Sequence, residues 1–304
     1  MPLPIITGAT ATGKSALAQA LARLTGAHIV SVDSMKVYRG MDVGTDKPPA
    51  AILNEIPHHM LDLVGPRERF SVARYLELAA PLIERLRAEG TRLLLEGGTA
   101  LYIKALTEGM FEGVGRDEEF RRTLRREAAE RGAAHLHERL ARVDAAAAAR
   151  IHPNDLKRIV RALEVHHLTG LPISRLQEQF GDVKRPRRII ALWRPRDELR
   201  RRVAERAARM FKEGILEETR RILDGGGFGP TASQCPGYAE AAAHLRGETT
   251  IEEAARRTAT RHWRLARRQN VWLKRFDDAL HLCLRGSTDW PALAARLASR
   301  LFEE

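Results

Sequence analysis

The segment Gly8-Ala9-Thr10-Ala11-Thr12-Gly13-Lys14-Ser15 constrains the fold of this chain more than any other. It has the form G-x-x-x-x-G-K-[ST]. It follows a short apolar run from Leu3 to Ile6 and opens an apolar-periodic stretch through Leu17, Leu21 and Leu24. That context predicts strand, tight loop, helix. The glycines let the backbone turn so that successive N–H groups face one point, and the helix N-terminus adds partial positive charge behind them. Lys14 brings a point charge and Ser15 a hydroxyl suited to Mg²⁺. The whole segment is therefore expected to cradle a diphosphate. A plain glycine-rich turn before a helix would not need Lys-Ser after its second glycine. The loop alone leaves open whether that diphosphate belongs to a nucleotide.

The rest of the N-terminal part alternates apolar strands with helical segments, the pattern of a parallel α/β sheet. Residues 5–7, 28–32 and 92–95 read as buried strands, each followed by polar or glycine residues: the loop at Gly8, then Asp33-Ser34, then Glu96-Gly97-Gly98-Thr99. Ligands of such sheets sit beyond the carboxyl ends of the strands, so Asp33, Glu96 and Thr99 are expected to gather beside the loop. From Asp117 to about Gly181 the chain turns charge-rich and helical, and residues 188–193 read as a strand again. The expected architecture is a P-loop NTPase-like parallel sheet flanked by helices and interrupted by an all-helical insertion. Its parts are residues 1–116, an insertion over 117–184, and 185–304, a second core part mainly helical as far as Phe276.

A chain of 304 residues with 44% hydrophobic content can bury a core. Its two cysteines, Cys235 and Cys283, imply neither a disulfide framework nor a cysteine zinc site, and a reducing cytoplasm is the simplest compartment. The N-terminal residues lead straight into the first strand, so no signal peptide is expected, and no apolar run is long enough to span a membrane. A monomer is the simplest expectation.

Charge is the second signal. Lys plus Arg total 51 against 39 Asp plus Glu, a formal net charge of +12. A polyanionic partner would use that excess; an enzyme of small metabolites would not. Within Ile251 to Phe276, Arg257, Arg261, Arg264, Arg268 and Arg275 fall on one helical face, with Ala255, Ala259, His262, Ala266 and Leu273 opposite. Solvated faces usually mix signs, so a single-sign stripe points to a phosphate backbone, against the plainer reading of a solvated face in an arginine-rich protein. Lys157, Arg158 and Arg161 follow the turn at His152-Pro153-Asn154-Asp155 and are compatible with RNA contact or with a simple helix cap.

Asp33, directly after its strand, is placed to act as a general base or to hold a metal; the alternative is a turn-forming cap. His58-His59 lack a third ligand at suitable spacing and are expected to be structural. No Asp-Asp-x-x-Asp run occurs, so the loop itself must hold the diphosphate.

With these residues in hand, the chain strongly resembles the tRNA dimethylallyltransferase (isopentenyltransferase) family. The matching blocks are the loop at 8–15, the run from Asp33-Ser34-Met35-Lys36 to Lys47-Pro48, Pro57-His58-His59, Gly97-Gly98-Thr99-Ala100-Leu101-Tyr102, His152-Pro153-Asn154-Asp155 with Arg158 and Arg161, Gly237-Tyr238, and Arg267-Arg268-Gln269. The resemblance implies transfer of a dimethylallyl group from dimethylallyl diphosphate to N6 of an adenosine beside the tRNA anticodon (position 37). Mg²⁺ would be the cofactor, and a helical insertion would grip the anticodon stem-loop. It implies Asp33 as general base and Arg220 as the arginine steadying the diphosphate. Thr99 belongs with them in the catalytic group and, like Asp33, also faces tRNA. Ser34, Met35, Lys36, Arg121, Lys157, Arg158, Arg161, Gly237, Tyr238, Arg261, Arg264 and Arg268 complete the expected tRNA contacts. Ala9 stands where the family usually has proline, Lys36 where glutamine is common, Leu156-Lys157 where Pro-Gln is usual, and Ala239 where a basic residue is common. A P-loop kinase of a small metabolite would share the loop and the sheet but leaves the basic helix and the insertion without a use. A non-catalytic RNA-binding protein leaves Lys14, Ser15 and Asp33 without one.

Overall fold

A computed structural model describes residues 2–110, 114–178 and 185–302. The chain divides into two compact units, one formed by Met1–Lys104 with Arg185–Glu304 and the other by Ala105–Lys184. The second unit thus begins upstream of residue 117, where the change in composition sets in.

In the first unit, β1 (Leu3–Gly8), α1 (Lys14–Thr25), β2 (His28–Ser31), α2 (Ala50–Glu55), β3 (His58–His59), α3 (Val72–Ala88), β4 (Leu93–Gly97) and α4 (Ala100–Glu108) follow in order, α4 running on into the second unit. The second unit continues with α5 (Glu118–Arg131), α6 (Ala133–Val143), α7 (Ala145–Arg150), α8 (Leu156–Thr169) and α9 (Ile173–Glu178). The chain then returns to the first unit with β5 (Arg187–Trp193), α10 (Arg196–Lys212), α11 (Ile215–Asp224), α12 (Tyr238–Leu245), α13 (Ile251–Leu273), β6 (Leu280–Cys283) and α14 (Trp290–Phe302).

The six strands form one sheet in the order β3-β2-β4-β1-β5-β6, and every pair is parallel. β1 and β4 are buried along their whole length, as continuous apolar strands covered on both faces must be. β4 inserts between β2 and β1, with Ile6 opposite Glu96 and Ser31 opposite Glu96. This brings Gly8, Asp33 and Glu96 to the same edge of the sheet, where ligands of open α/β sheets bind. β3 and β6 were not expected from sequence. β3 has only two residues, and β6 alternates half-buried with exposed positions at the sheet edge.

One apolar core joins Leu17 and Leu21 of α1 to Ile6, Leu94, Leu192 and Leu297. The second unit has its own core around Leu124, Leu136, Leu140, Ile159 and Leu163. Three of its helices begin where a short acidic side chain caps them: Asp117 accepts from Phe120 N–H, Asp144 from Ala147 N–H and Asp155 from Arg158 N–H. Asp155 therefore acts as a helix cap. Among the described residues no helix is long and apolar enough to cross a membrane.

Candidate active site at the carboxyl ends of the central strands

Between β1 and α1 the loop turns through left-handed φ values at Ala11 (63°) and Gly13 (102°). Gly13 is required twice over, since a Cβ there would also run into the Trp290 ring. The loop carbonyls are tied outward: Thr12 Oγ1 donates to Ala9 O (2.8 Å), Arg202 Nε to Ala11 O (2.9 Å) and Arg194 Nε to Thr12 O (3.0 Å). The N–H groups of Gly13, Lys14 and Ser15 have no acceptor among the described residues, as the first turn of a helix requires. Thr10 differs, because its N–H donates to Gln269 Oε1 of α13 at 2.9 Å. The Gln269 amide in turn donates to Gly98 O at 3.0 Å, so one side chain pins the loop to the Gly97-Gly98-Thr99 turn. Ala9 packs fully buried against Leu199, Val203 and Ala266, where its methyl group meets α10 and α13.

The loop opens onto a cavity of 360 Å³ bordered by Lys14, Ser15, Asp46, Arg202, Arg206 and Arg209. The three arginines come from one face of α10, at spacing i, i+4, i+7. Arg206 donates to Thr10 Oγ1 (2.7 Å), lies 3.4 Å from Asp46, and keeps a buried Nε with no partner among the described residues. These arginines went unnoticed in the sequence, although their spacing was the same signal that singled out α13. Arg220 is exposed on α11 and does not border this cavity.

The acidic side of the site lies next to the loop. Ser15 Oγ donates to Glu96 Oε1 at 3.0 Å, and Lys36 Nζ stands 3.6 Å from Glu96 Oε2. Burial pushes the Glu96 carboxyl up, but Lys36, Lys14 and the Ser15 hydroxyl together bring it below its ordinary value. Burial pulls the Lys14 ammonium down, with Glu96 opposing. Asp33 Oδ1 accepts the N–H groups of Met35 (2.8 Å) and Lys36 (3.4 Å), while Oδ2 takes no hydrogen bond among the described residues. The turn-forming role thus occupies one oxygen of the carboxylate and leaves the other without a partner among the described residues. Thr99 Oγ1 accepts Ser34 N–H at 3.1 Å, which joins the turns after β2 and β4. Asp33, Glu96 and Thr99 are therefore brought together beside the loop.

The residues expected at a tRNA surface divide. Lys157 and Arg158 are exposed on α8, Arg158 beside Asp155 at 3.0 Å. Arg121 forms a two-pronged pair with fully buried Glu164 (2.6 and 2.6 Å), and Arg161 donates to the same carboxylate at 2.7 Å. Both are committed to holding their unit together. Gly237 donates its N–H to Glu240 (2.9 Å). Tyr238 is buried, with its hydroxyl on Glu218 at 2.6 Å, so neither faces a polyanion. Glu218 also accepts the N–H groups of Asp42, Val43 and Gly44, a role that the sequence did not reveal. Lys36 is buried in its ion pair, away from the surface. His58 Nδ1 donates to Ile56 O and His59 lies against His28, both structural contacts.

On α13, Ala254, Thr258, His262, Ala266 and Leu273 form the buried stripe, and Ala255 and Ala259 are half-buried beside it. Arg257 pairs with Glu253, Arg261 with Glu240, and Arg275 lies over Trp272. Arg264, Arg267 and Arg268 are exposed and without an ion pair among the described residues. The free positive surface is therefore narrower than the stripe read from spacing alone.

His262 makes a testable mark on stability. Its ring is buried with neither nitrogen hydrogen-bonded among the described residues, and burial, with Arg206 nearby, holds its pKa at about 3, against 6.5 when exposed. Between those values the unfolded chain binds the proton and the folded chain does not, so this group's contribution is full above pH 6.5 and is lost as pH falls towards 3. Each pH unit within the window costs about 1.4 kcal/mol. His262→Gln is expected to flatten the fall in melting temperature between pH 6.5 and 5. A slope equal to that of the parent protein contradicts the assignment.

Comparison with known proteins bears on the same residues. The IPP transferase family model matches residues 36–276. A tRNA dimethylallyltransferase of Anaeromyxobacter dehalogenans is 48% identical over 301 residues, covering 99% of this chain and 100% of the relative. One of Geobacter metallireducens is 44% identical over 291 residues, covering 94% of each chain. Among solved structures, the tRNA isopentenylpyrophosphate transferase of Bacillus halodurans superposes with a TM-score of 0.69 at 33% identity, covering 99% of this chain and 97% of that one. A eukaryotic dimethylallyltransferase acting on tRNA shares the fold with a TM-score of 0.80 at 24% identity, over 98% of this chain and 77% of its own. The Gly8–Ser15 loop and its neighbouring acids thus stand in a chain that belongs to the IPP transferase family.

Proposed function

We propose that this chain transfers a dimethylallyl group from dimethylallyl diphosphate to N6 of the adenosine beside the anticodon, position 37, of tRNA, releasing diphosphate. The observation that carries this reading is the meeting of the Lys14-Ser15 cradle with Asp33 and Thr99 at adjacent strand ends. In the reaction the C1–O bond of the allylic diphosphate breaks and its electron pair leaves with the diphosphate. The inward amides of Gly13, Lys14 and Ser15, the Lys14 ammonium, and Arg202, Arg206 and Arg209 stabilise the charge that develops there. These cavity arginines take the place in the reading that the resemblance gave to Arg220. The lone pair of N6 forms the new N–C bond, and Oδ2 of Asp33 accepts the N6 proton. A loop adenosine leaves its stack at lower cost than a paired one.

Ser15 and Glu96 offer the hard oxygen donors that Mg²⁺ prefers. Among the described residues no cluster of three or more His, Cys, Asp or Glu side chains could hold a metal by itself, so the ion would share its ligands with substrate oxygens, as Mg²⁺ commonly does. When bound, Mg²⁺ would neutralise charge on the leaving diphosphate. The free cysteines, Cys235 and Cys283, agree with work in the reducing cytoplasm.

For tRNA we assign Arg264, Arg267 and Arg268 on α13, with Lys157 and Arg158 on the helical unit, as phosphate contacts. Arg264→Ala with Arg268→Ala is expected to reduce the slope of log Kobs against log salt for tRNA by about two, roughly one per lost phosphate contact. An unchanged slope returns this face to ordinary solvation. The activity itself is tested by incubating the protein with dimethylallyl diphosphate, unmodified tRNA and Mg²⁺ and digesting the RNA to nucleosides. Adenosine heavier by one dimethylallyl group is expected. ATP consumption without RNA modification would support a kinase instead, and tRNA binding without either would support a binding protein.

A further inference from the structure

Lys36 occupies an unusual position for a lysine. Only 5% of it is exposed, and its backbone is held on both sides: the N–H by Asp33 Oδ1 (3.4 Å) and the carbonyl by Asp62 N–H (3.2 Å). Among the described residues its ammonium has one ion-pair partner, Glu96, at 3.6 Å. The other oxygen of Glu96 is taken by Ser15, the hydroxyl suited to a metal. Lys14 is buried beside the same carboxylate. Two desolvated ammonium groups therefore stand beside Glu96 at the cradle, with Asp33 acting on Lys14 and Asp46 on both, and with Arg206 as a further cation beside Asp46. Burying a lysine is costly unless its charge is met, and among the described residues Glu96 is the carboxylate within ion-pair distance of Lys36. A diphosphate in the loop would add negative charge beside Lys14 and the cavity arginines.

We propose that Lys36 is a built-in counter-cation of the diphosphate site, which neutralises Glu96 and lets the cradle hold diphosphate with only weak dependence on Mg²⁺. This inference rests on the reading of the loop as a diphosphate cradle and assigns Lys36 a place in that cradle instead of at the RNA surface. Without Lys36, Glu96 would stand next to the diphosphate site as a less compensated like charge, and a divalent ion would take over its screening.

The test is calorimetric titration of the full chain with inorganic pyrophosphate, in Mg²⁺ and in EDTA, for the parent protein, Lys36→Gln, Lys36→Met and Lys36→Arg, each checked for a cooperative thermal transition. The parent and Lys36→Arg are expected to bind in EDTA within about fivefold of their affinity in Mg²⁺. Lys36→Gln and Lys36→Met are expected to lose roughly tenfold to a hundredfold in EDTA, the size of one close charge interaction, and to recover in Mg²⁺. A merely structural role would weaken both conditions alike. Equal Mg²⁺-to-EDTA ratios in the parent and the neutral variants overturn the role of Lys36 while leaving the cradle in place. Absence of pyrophosphate binding by the parent in both conditions removes the cradle itself, and the proposal with it.

Discussion

Asp33→Asn is expected to lower the single-turnover rate of dimethylallyl transfer by about 10²- to 10⁴-fold, the usual worth of a positioned general base. The fold should survive. Asp33 Oδ1 accepts the N–H groups of Met35 and Lys36, and an asparagine carbonyl oxygen can accept both. Only Oδ2, which has no partner among the described residues, changes from a proton acceptor to an amide. The variant should therefore bind tRNA and inorganic pyrophosphate within about threefold of the parent, an estimate from the small effect of removing a group that acts only in the transition state. The exocyclic amine of adenine is a weak nucleophile because its lone pair is delocalised into the ring, so the loss should be seen in the bond-forming step. Single-turnover transfer at the parent rate would move the base to another residue.

Lys14→Met is the second large effect. Lys14 is buried at the head of α1 and faces the cavity with Ser15 and the α10 arginines. Methionine keeps most of the length and removes the charge. Stabilisation of the leaving diphosphate should fall by about 3–4 kcal/mol, or about 10²–10³ in kcat, as when one preorganised donor is deleted from a site of developing charge. Pyrophosphate affinity should weaken as well, because this charge acts on bound and departing diphosphate alike. Steady-state kinetics with tRNA saturating checks the first, titration the second. A kcat within about threefold of the parent would mean that the arginines of α10 carry the charge unaided.

The parts of the site that lie along the chain as punctuation were legible. Strand ends at Gly8, Asp33 and Glu96 are marked by a change from apolar to polar residues, and parallel order then forces them together. What the chain hides is direction. Arg202, Arg206 and Arg209 sit in a helix rich in arginine, and nothing local says that their face turns towards a loop almost 200 residues earlier in sequence, where Arg206 meets Thr10. Lys36 looks like a surface lysine until β4 places Glu96 beside it. Arg121 and Arg161 look like free basic residues until α8 brings Glu164 between them. Tyr238 is likewise spoken for by Glu218, twenty residues back. Except for Arg161, whose partner lies three residues on in the same helix, a long-range partner of opposite charge or matching polarity decided whether a side chain was available, and a periodic pattern carries no record of such partners. The two missed strands have a different cause: β3 is too short, and β6 too exposed, to leave an apolar run.

The proposed function has a nucleotide-type cradle release diphosphate as the prenyl group passes from its donor to RNA. Its most direct test measures pyrophosphate release and modified adenosine in the same reaction, with dimethylallyl diphosphate labelled in the prenyl group. One pyrophosphate for each labelled N6-prenyl adenosine, and none when tRNA is left out, is the predicted result. Pyrophosphate released without labelled adenosine, or label found on any atom other than the adenosine N6, would contradict it.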